Sequence, residues 1–481
     1  MTPPVLALGP AFFEAVTPAA FARATPRFRN QRWASRVGLG DLDDRSWTEH
    51  LARFAPLPGN LAEPLALAYH GHQFRSYNPD IGDGRGFLYA QLRDADDGRL
   101  LDLGTKGSGT TPYSRGGDGR LTLKGGVREV LAAEALEALG VYTSKALALH
   151  ETHEALTRGD EPSPTRSSVL VRLSHSHVRF GTFQRLAFFE DTQSTERLLA
   201  YCCTHFYPDL AGLPPAEAAP AFLAAVAGRA ARLAASWMAA GFVHGVLNTD
   251  NLTVTGESFD YGPWRFLPRM DPAFTAAYFD HTGLYAYGRQ AEAVLWALSR
   301  LGGALLPLSD EAALTNALSG FGDAYEAGVR DAFLGRLGLA AGALADDLTL
   351  VQDLLRWMQA SGVPFERAVF DLRGGEPARM DQSPLREAYA APPFTELRTA
   401  LSARDAAPGA LDDAYFSGAP ETLVPETLVI EEVERVWDRI DRSDDWSAFE
   451  AKVAGLRRMG AAYGLPPLSA PEGHVAMTGA P

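Results

Sequence analysis

The stretch HGVLNTDN at residues 244–251, followed by FDYG at residues 259–262, decides the fold. The first stretch ends at Asn251, and a short connection, predicted to form a hairpin, leads to Asp260. Amide and carboxylate oxygens are the hard ligands that Mg²⁺ prefers in proteins. The pattern therefore predicts a loop that holds a divalent metal through Asn251 and Asp260.

This segment resembles the catalytic segment of protein kinases, in which HRDxxxxN precedes DFG. The spacing from His244 to Asn251 agrees with that motif. The position of the kinase base is occupied by Val246, which cannot accept a proton. The nearest carboxylate is Asp250, and we assign it as the general base. The chain thus resembles a kinase in its metal-binding residues and departs from it at the base.

Two glycine-rich segments lie upstream, GDGRG at residues 82–86 and GGDGR at residues 116–120. Glycine lets backbone N–H groups approach phosphate oxygens closely, and the arginines add positive charge. Neither segment is a GxGxxG or a GxxxxGK[ST] motif, and either one alone could be a simple turn. Two of them close together in sequence indicate a cage around a polyanion.

Four charged residues complete the predicted phosphate site. Lys106 ends a predicted strand, and Glu129 lies in the next predicted helix, an arrangement that aims a phosphate-binding lysine. Arg172 lies in an apolar strand, where its guanidinium needs a buried anion, and Arg179 follows shortly after it. Taken alone, Lys106 and Glu129 could be ordinary surface residues, and Arg172 could form a structural salt bridge. The prediction therefore rests on the order of these residues along the chain.

The periodicity of apolar residues predicts a β-rich first half and a helical second half. The predicted strands are 87–92, 100–106, 145–149 and 168–173, and the predicted helices are 126–139, 195–206, 220–240, 426–442 and 446–459. We therefore expect an α+β, protein-kinase-like fold of two lobes with a cleft between them. The expected parts are an irregular N-terminal extension (1–60), a β-rich nucleotide-binding N-lobe (61–190), a helical C-lobe (191–400) and a C-terminal helical extension and tail (401–481).

The composition of the chain argues against several classes of protein. The chain of 481 residues is 46% hydrophobic and carries a net charge of −15, which argues against nucleic acids and acidic membranes as partners. Its two cysteines, Cys202 and Cys203, are adjacent and give no disulfide framework. The N-terminus does not resemble a signal peptide, and no membrane span is expected, so we expect a cytoplasmic monomer.

A resemblance to the selenoprotein O family rests on strings spread over residues 69–288, with SPLREAY near residue 383 extending it. The strings are YHGHQF, GDGRG, KGSGTTPYSRGGDGR, VRE, RLSHSHVRFG, HGVLNTDN, FDYGPWRFL and DHTGLYAY. The resemblance implies a protein adenylyltransferase with a kinase-like fold that binds ATP in a flipped orientation. It implies protein substrates with Ser, Thr or Tyr hydroxyls, Mg²⁺ as the cofactor with Mn²⁺ as an alternative, and UTP as an alternative to ATP.

The resemblance also implies roles for individual residues. Asp250 is the base, Asn251 and Asp260 hold the metal, and Glu129 orders Lys106. The residues that would bind ATP are Gly82, Gly84, Arg85, Lys106, Asp118, Gly119, Arg172, Arg179 and Asp260.

Two other functions stay open on the residues alone. One is a kinase that transfers the γ-phosphate, although Val246 counts against it. The other is a nucleotide-binding scaffold without turnover, against which the intact set of charged residues counts. The chain also ends in MTGAP, without the terminal cysteine or selenocysteine of many family members, and its region near residues 421–437 diverges from the family, which puts substrate docking there in doubt.

Overall fold

The computed structural model describes residues 2–159, 161–417 and 424–468, which form an α+β protein. The strands are β1 Phe13–Ala15, β2 Thr25–Arg29, β3 Leu65–Leu67, β4 Gly71–Gln73, β5 Ser76–Asn78, β6 Leu88–Arg93, β7 Leu100–Lys106, β8 Leu121–Thr122, β9 Lys145–Leu156, β10 Thr165–Ser174, β11 Phe242–Val243 and β12 Arg265–Phe266. The helices are α1 Gln31–Arg36, α2 Asp44–Leu51, α3 Leu123–Ala138, α4 Phe180–Phe188, α5 Thr192–Phe206, α6 Pro215–Ala240, α7 Gln290–Leu305, α8 Glu311–Ala317, α9 Phe321–Leu337, α10 Leu344–Ser361, α11 Phe365–Asp371, α12 Pro377–Asp381, α13 Arg386–Ala390, α14 Pro392–Ser402, α15 Ala414–Ser417, α16 Ile430–Ser443 and α17 Ser447–Tyr463.

An antiparallel sheet forms the first half of the chain, in the order β1-β3-β6-β7-β10-β9-β2, with β8 paired to β10. The predicted hairpin is confirmed as β6 and β7, which are joined by a turn where Asp94 N–H donates to the Arg99 carbonyl at 3.0 Å. Every residue of β7 is buried, because the strand lies inside the sheet with both faces covered. This burial puts the charged end of the strand, Lys106, in the protein interior.

The two faces of the sheet are covered by different helices. Helix α3 packs on one face, against β9 and β10. The other face packs against the N-terminal segment, where Trp33 of α1 and Trp47 of α2 are buried in a cluster with Leu103 and Val171. Side chains alternate between the faces of a strand, so Lys106, two residues after Gly104, points to the α3 face.

The N-terminal segment is more ordered than the predicted irregular extension. Strand β1 pairs with β3, and β2 pairs with β9, so both edges of the sheet come from this segment. Strands this short carry too few residues for a periodic signal, and distant partners stabilise them. The four-part domain division stays a prediction.

The second half is built around α6, which packs against α5, α7, α8 and α9. By length and composition, α6 is the single helix of the described chain that could cross a membrane, but 61% of its apolar window is buried inside the protein. Its phenylalanine and tryptophan, Phe222 and Trp237, are fully buried, as expected for a core helix.

The C-terminal helices pack against the strand-rich half. Predicted helix 446–459 is observed as α17, which contacts α3, and predicted helix 426–442 is observed as α16. Arg457 donates two hydrogen bonds of 2.7 Å to the buried Glu134 of α3. Helix α3 is therefore held between the sheet and α17. The predicted tail, residues 469–481, lies outside the described residues.

The connection between Asn251 and Asp260 does not form the predicted hairpin. Instead, Thr253 forms an antiparallel bridge with Arg179, and Ser258 forms a parallel bridge with Thr143. The connection therefore pairs with the strand-rich half rather than with itself. This pairing depends on tertiary contacts, which local sequence patterns do not reveal. It ties the segment from Asp250 to Asp260 to residues that flank the sheet, Thr143 before β9 and Arg179 after β10.

The contact between α17 and α3 depends on a close approach at Gly460, which gives a stability prediction. A Cβ atom there would lie 2.8 Å from the Ala138 Cα, so Gly460→Ala should lower the free energy of unfolding by about 1–3 kcal/mol through overpacking. The matched control is Gly303→Ala in α7, where a Cβ atom meets open space. This control should raise stability by about 0.5–1 kcal/mol, as usual for glycine inside a helix. Urea unfolding of both variants checks the sign, and equal shifts would contradict the packing.

Candidate active site

A cleft of about 630 Å³ collects the predicted site residues from both halves of the chain. Its walls include Gly82, Gly84, Arg85, Lys106, Asp118, Gly119, Arg172, Arg179, Asp250 and Asp260. Of the remaining predicted residues, Glu129 is buried behind Lys106, and Asn251 lies next to Asp250 outside the wall. The chain thus brings together residues that are far apart in sequence, while their individual roles stay predictions.

Three cations converge on the Asp260 carboxylate. Lys106 Nζ lies 2.8 Å from Oδ1, Arg172 Nη1 lies 3.3 Å from Oδ1, and Arg179 Nη1 lies 3.4 Å from Oδ2. Burial alone would raise the pKa of Asp260, but the three cations outweigh burial and hold the pKa well below its usual value. Asp260 is therefore ionised, and it neutralises part of a cluster of buried positive charge.

Strand register explains why Lys106 and Arg172 meet. Lys106 lies in β7 and Arg172 in the neighbouring β10, where Arg172 pairs with Gly104. Residues 104 and 106 share a face of the sheet, so both cations point towards α3 and the cleft. On α3, the buried Glu129 forms an ion pair with Lys106 Nζ. The predicted pairing of the strand lysine with the helix glutamate is therefore present in the structure.

Aromatic rings hold the two arginines in place. The Arg172 Cζ lies 4.0 Å from the ring centroid of Phe259, and the Arg179 Cζ lies 4.5 Å from the same ring. Tyr69 contacts Arg179 on another side, at 4.4 Å. A guanidinium stacks well on an aromatic face, which fixes its direction without using its N–H donors. The terminal nitrogens of both arginines therefore stay available for contacts with Asp260.

Asp250 is buried beside this cluster. Its Oδ1 atom has no hydrogen-bond partner within the described ranges, which is unusual for a buried carboxylate. Burial raises the pKa of Asp250 to about 6, and Arg179 opposes this shift. Arg179 Nη1 also donates to the Asp250 carbonyl at 2.6 Å, so one guanidinium connects Asp250 to Asp260. The carboxylate is basic enough to take a proton and is still mostly ionised at neutral pH.

Asn251 has its side-chain nitrogen occupied. Nδ2 donates to the Val246 carbonyl at 2.9 Å, which leaves the amide oxygen for another partner. Across the described part of the chain, no three His, Cys, Asp or Glu residues are grouped to hold a metal ion. A metal here would depend on the mixed set of Asn251 and Asp260 and on oxygens from a ligand.

A strand pair that the sequence did not reveal supports the catalytic segment. His72 N–H of β4 donates to Thr249 Oγ1 at 2.7 Å, and Thr249 Oγ1 in turn donates to Gln184 Oε1 at 2.7 Å. A Cβ atom on Gly71 would lie 3.0 Å from Asp250 Oδ1 and 3.1 Å from Thr249 Oγ1. The hairpin of β4 and β5 thus lies directly against the loop that carries Asp250. The string YHGHQF was a family signal with no individual role assigned.

The first glycine-rich segment packs against the residues that directly precede the second. A Cβ atom on Gly82 would lie 2.4 Å from the Tyr113 ring, so the glycine is required by this contact. Asp118 accepts hydrogen bonds from Arg158 and from the Arg120 N–H, and so supports its own turn. Packing therefore explains the presence of some residues, such as Gly82 and Asp118, that were predicted to contact phosphate.

Several residues of the cleft were not predicted. Asp83 is buried and lies 3.4 Å from Arg179 Nη2, and burial raises its pKa against the influence of Arg179. Arg115 and the predicted Arg85 are both exposed and form no ion pair within the described residues. The cleft therefore carries two exposed cations on its rim in addition to the buried cluster. The Asp-Gly-Arg pattern, which occurs in both glycine-rich segments, was the sequence signal that could have pointed to Asp83.

Comparison with known proteins identifies the class. The family model described as protein adenylyltransferase SelO matches residues 1–457. The protein nucleotidyltransferase YdiU of Gloeobacter violaceus is 43% identical over 476 residues, covering 95% of this chain and 94% of the relative. The YdiU of Synechococcus elongatus is 51% identical over 365 residues, covering 74% and 72%, and that of Azotobacter vinelandii is 40% identical over 387 residues, covering 79% and 77%.

The chain is therefore an enzyme of the nucleotidyltransferase class. It belongs to the SelO family of protein adenylyltransferases, which confirms the resemblance found in the sequence. Adenylyl transfer implies ATP as the substrate that supplies the transferred group.

The buried pair of Lys106 and Glu129 gives a second stability prediction. Lys106→Met leaves the Glu129 carboxylate buried without its cation, which should cost about 3–5 kcal/mol. The double variant Lys106→Met/Glu129→Gln should recover part of this loss, because it leaves no buried charge on Glu129. The matched control is Lys124→Met on the same helix, whose exposed pair with Glu434 should contribute no more than about 1 kcal/mol. Unfolding in urea measures all three variants, and a double variant less stable than Lys106→Met would contradict the pairing.

Proposed function

We propose that the cleft binds ATP and transfers AMP to Ser, Thr or Tyr hydroxyls of protein substrates. The observation that carries this proposal is the position of Asp250. Its carboxylate is buried and lacks a partner on Oδ1 within the described residues, and its backbone carbonyl is bound by Arg179, one of the three cations that converge on Asp260. A basic carboxylate beside a polyanion site is what transfer of a nucleotide to a hydroxyl requires.

The reaction is a substitution at the α-phosphorus. The acceptor oxygen forms a bond to this phosphorus, and the bond to the oxygen that bridges to the β-phosphate breaks. The proton of the hydroxyl passes to Asp250, and pyrophosphate leaves with the electron pair. A pKa of about 6 lets Asp250 accept this proton at neutral pH, and positioning and charge supply the rest of the catalysis.

The arginines support a flipped nucleotide. Arg172 and Arg179 are buried, and the Nε atoms of both lack partners within the described chain. Together with Lys106 they place three cations in the wall of the cleft, and we place the β- and γ-phosphates there. The α-phosphate then faces Asp250, and pyrophosphate leaves from the arginine site. In this proposal the β-rich half acts as the N-lobe and the helical half as the C-lobe of a kinase-like fold.

The donors present fit a divalent metal, Mg²⁺ with Mn²⁺ as an alternative. Asp260 is ionised, and the Asn251 amide oxygen is free of the Val246 contact. Asn251 and Asp260 would hold the ion, which would neutralise charge on the phosphates when bound. Phosphate oxygens that pair with Lys106 and the arginines would at the same time release Asp260 from part of its present contacts.

The alternatives are less well supported. A kinase needs its base opposite the γ-phosphate, whereas Val246 occupies the position of the kinase base and Asp250 lies next to the cation cluster. A scaffold without turnover does not explain a buried carboxylate with a raised pKa. Membership of an adenylyltransferase family supports nucleotidyl transfer over both. Cys202 and Cys203 are buried and free, which fits a reducing compartment such as the cytoplasm.

Labelled ATP tests the reaction directly. Protein incubated with Mg²⁺ and with ATP labelled on the α-phosphate should become labelled, whereas the γ-label should stay in pyrophosphate. Asp260→Ala should abolish the signal, and Asp250→Asn should lower the rate about 10²–10⁴-fold, the usual contribution of a general base. Chelation of the metal should remove the signal as well. Label from the γ-phosphate alone would make the enzyme a kinase, and parallel reactions with UTP decide between the two nucleotides.

Truncated nucleotides test the flipped orientation. Arg172→Gln and Arg179→Gln should weaken binding of ATP at least about tenfold each, as expected for loss of a charge-assisted phosphate contact. Binding of AMP should change little, because AMP lacks the phosphates that the arginines hold. Calorimetry or equilibrium dialysis gives the affinities, with Arg53→Gln in the exposed pair with Glu49 as the matched control. Unchanged ATP affinity in both variants would refute the flipped orientation.

A further inference from the structure

An exposed aromatic patch lies beside the loop that carries Asp250, and the proposed function does not use it. It consists of the exposed side chains of Phe74, Tyr278 and Phe279 together with the buried Tyr285, on which Phe74 packs, and we call it the aromatic patch. Phe74 contacts Phe279 at 5.7 Å and Tyr285 at 5.0 Å between ring centroids, and Tyr278 contacts Phe279 at 5.1 Å. Tyr278 is 82% exposed, Phe279 43% and Phe74 36%, although large aromatic side chains are normally buried.

The patch is joined to the catalytic segment through Asn248. The Oδ1 atom of Asn248 accepts hydrogen bonds from Phe74 N–H at 3.0 Å and from the Tyr285 hydroxyl at 2.9 Å. The carbonyl of Asn248 accepts the Asn251 N–H at 3.0 Å, which closes the turn that contains Asp250. The aromatic rings therefore have a fixed position relative to the proposed base.

The backbone at Phe74 is strained. Phe74 and Arg75 form the two-residue turn between β4 and β5, and their φ angles are +50° and +65°. Such turns favour Asn and Gly, whereas a left-handed conformation costs a bulky residue roughly 1–2 kcal/mol. Strain of this kind is concentrated at functional sites, where the side chain is needed in that position. The turn places the Phe74 ring against Phe279 and Tyr285.

The other side of the patch is ordered as well. Asp280 accepts hydrogen bonds from the N–H groups of Leu284 and Tyr285, at 2.9 and 2.8 Å, and so fixes the segment after Phe279. Arg75 and Arg289 both pair with Glu292, so these three side chains near the patch carry one net positive charge. The surface is therefore preorganised, with exposed aromatic rings beside a single excess positive charge.

We propose that the aromatic patch docks the acceptor segment of the protein substrate and selects an apolar side chain close to the modified hydroxyl. This inference rests on the proposed function, because a protein hydroxyl must reach Asp250. A chain that reaches Asp250 passes the neighbouring surface, and the patch offers rings that can bury one apolar side chain. The patch thus determines which hydroxyl of a protein is modified, while the cleft determines which nucleotide is used.

Acceptor peptides test the proposal. Each peptide carries one Ser, Thr or Tyr, and one flanking position is either Leu or Gln; AMP transfer is followed by mass spectrometry with Mg²⁺ and ATP. At one or more flanking positions the wild-type protein should prefer Leu by about tenfold or more, as expected for partial burial of one leucine side chain. In the double variant Tyr278→Ala/Phe279→Ala the preference for Leu should fall below about threefold. The change should appear in KM with kcat unchanged, as expected when binding of the substrate and of the transition state is weakened equally.

Two further variants separate docking from folding. Phe74→Asn keeps a residue that tolerates the left-handed conformation, so it should lose the Leu preference with a cooperative melting transition retained. Phe189→Ala removes a ring that is 56% exposed and packs on His70 and Phe188, and it should keep the wild-type preference. ATP affinity should be the same in all variants.

Several outcomes would overturn the proposal. They are an equal rate with Leu and Gln peptides in the wild-type protein, an unchanged preference in the double variant, or the same loss in Phe189→Ala. A dimer that light scattering detects in the wild-type protein but not in the double variant would assign the patch to self-association instead. Transfer of α-label to protein without transfer to any peptide also contradicts the docking proposal alone, whereas absence of α-label from every reaction contradicts the proposed function itself.

Discussion

The architecture of this protein depends on the need of three buried cations for a shared anion. Lys106, Arg172 and Arg179 come from different parts of the strand-rich half, and Asp260 comes from the other half of the chain. Glu129 also pairs with Lys106, and Asp83 with Arg179, but Asp260 is the one carboxylate of the described residues that contacts all three cations. Its removal would leave Arg172 without an anion, so Asp260 links the two halves of the chain electrostatically. A site that satisfies its own charges in the absence of ligand can later exchange those contacts for phosphate oxygens.

Supporting layers extend outward from this cluster. Glu129 holds Lys106 from α3, α3 is clamped by α17, and Arg457 pairs with Glu134 on the same helix. Phe259 and Tyr69 hold the arginines by stacking. The C-terminal helices therefore support α3, and through it Lys106, by packing, which tolerates sequence change better than direct contact does.

The sequence predicted the central strands and helices because their signals are local. Strand β7 has the predicted bounds, and α3, α5, α6 and α17 differ from prediction only in their ends. The order of the motifs along the chain also predicted that the candidate residues share one cleft, and most of them line it in the structure. Local signals could not predict β1 and β2, which exist through pairing with distant strands, or the connection after Asn251, which pairs with Thr143 and Arg179. Asp83 and Tyr69 were missed for the same reason: only the folded chain shows that they contact Arg179.

The pairing of residues 253 and 258 with the strand-rich half has a mechanical consequence. In a hinged enzyme, the carboxylates on one lobe move away from the cations on the other when the site opens. Here the chain that joins Asp250 to Asp260 is bridged to Arg179 and Thr143, so separating Asp260 from Arg179 would also require the bridges at residues 253 and 258 to break. The half that carries the carboxylates and the half that carries the cations are therefore coupled by backbone pairing as well as by charge.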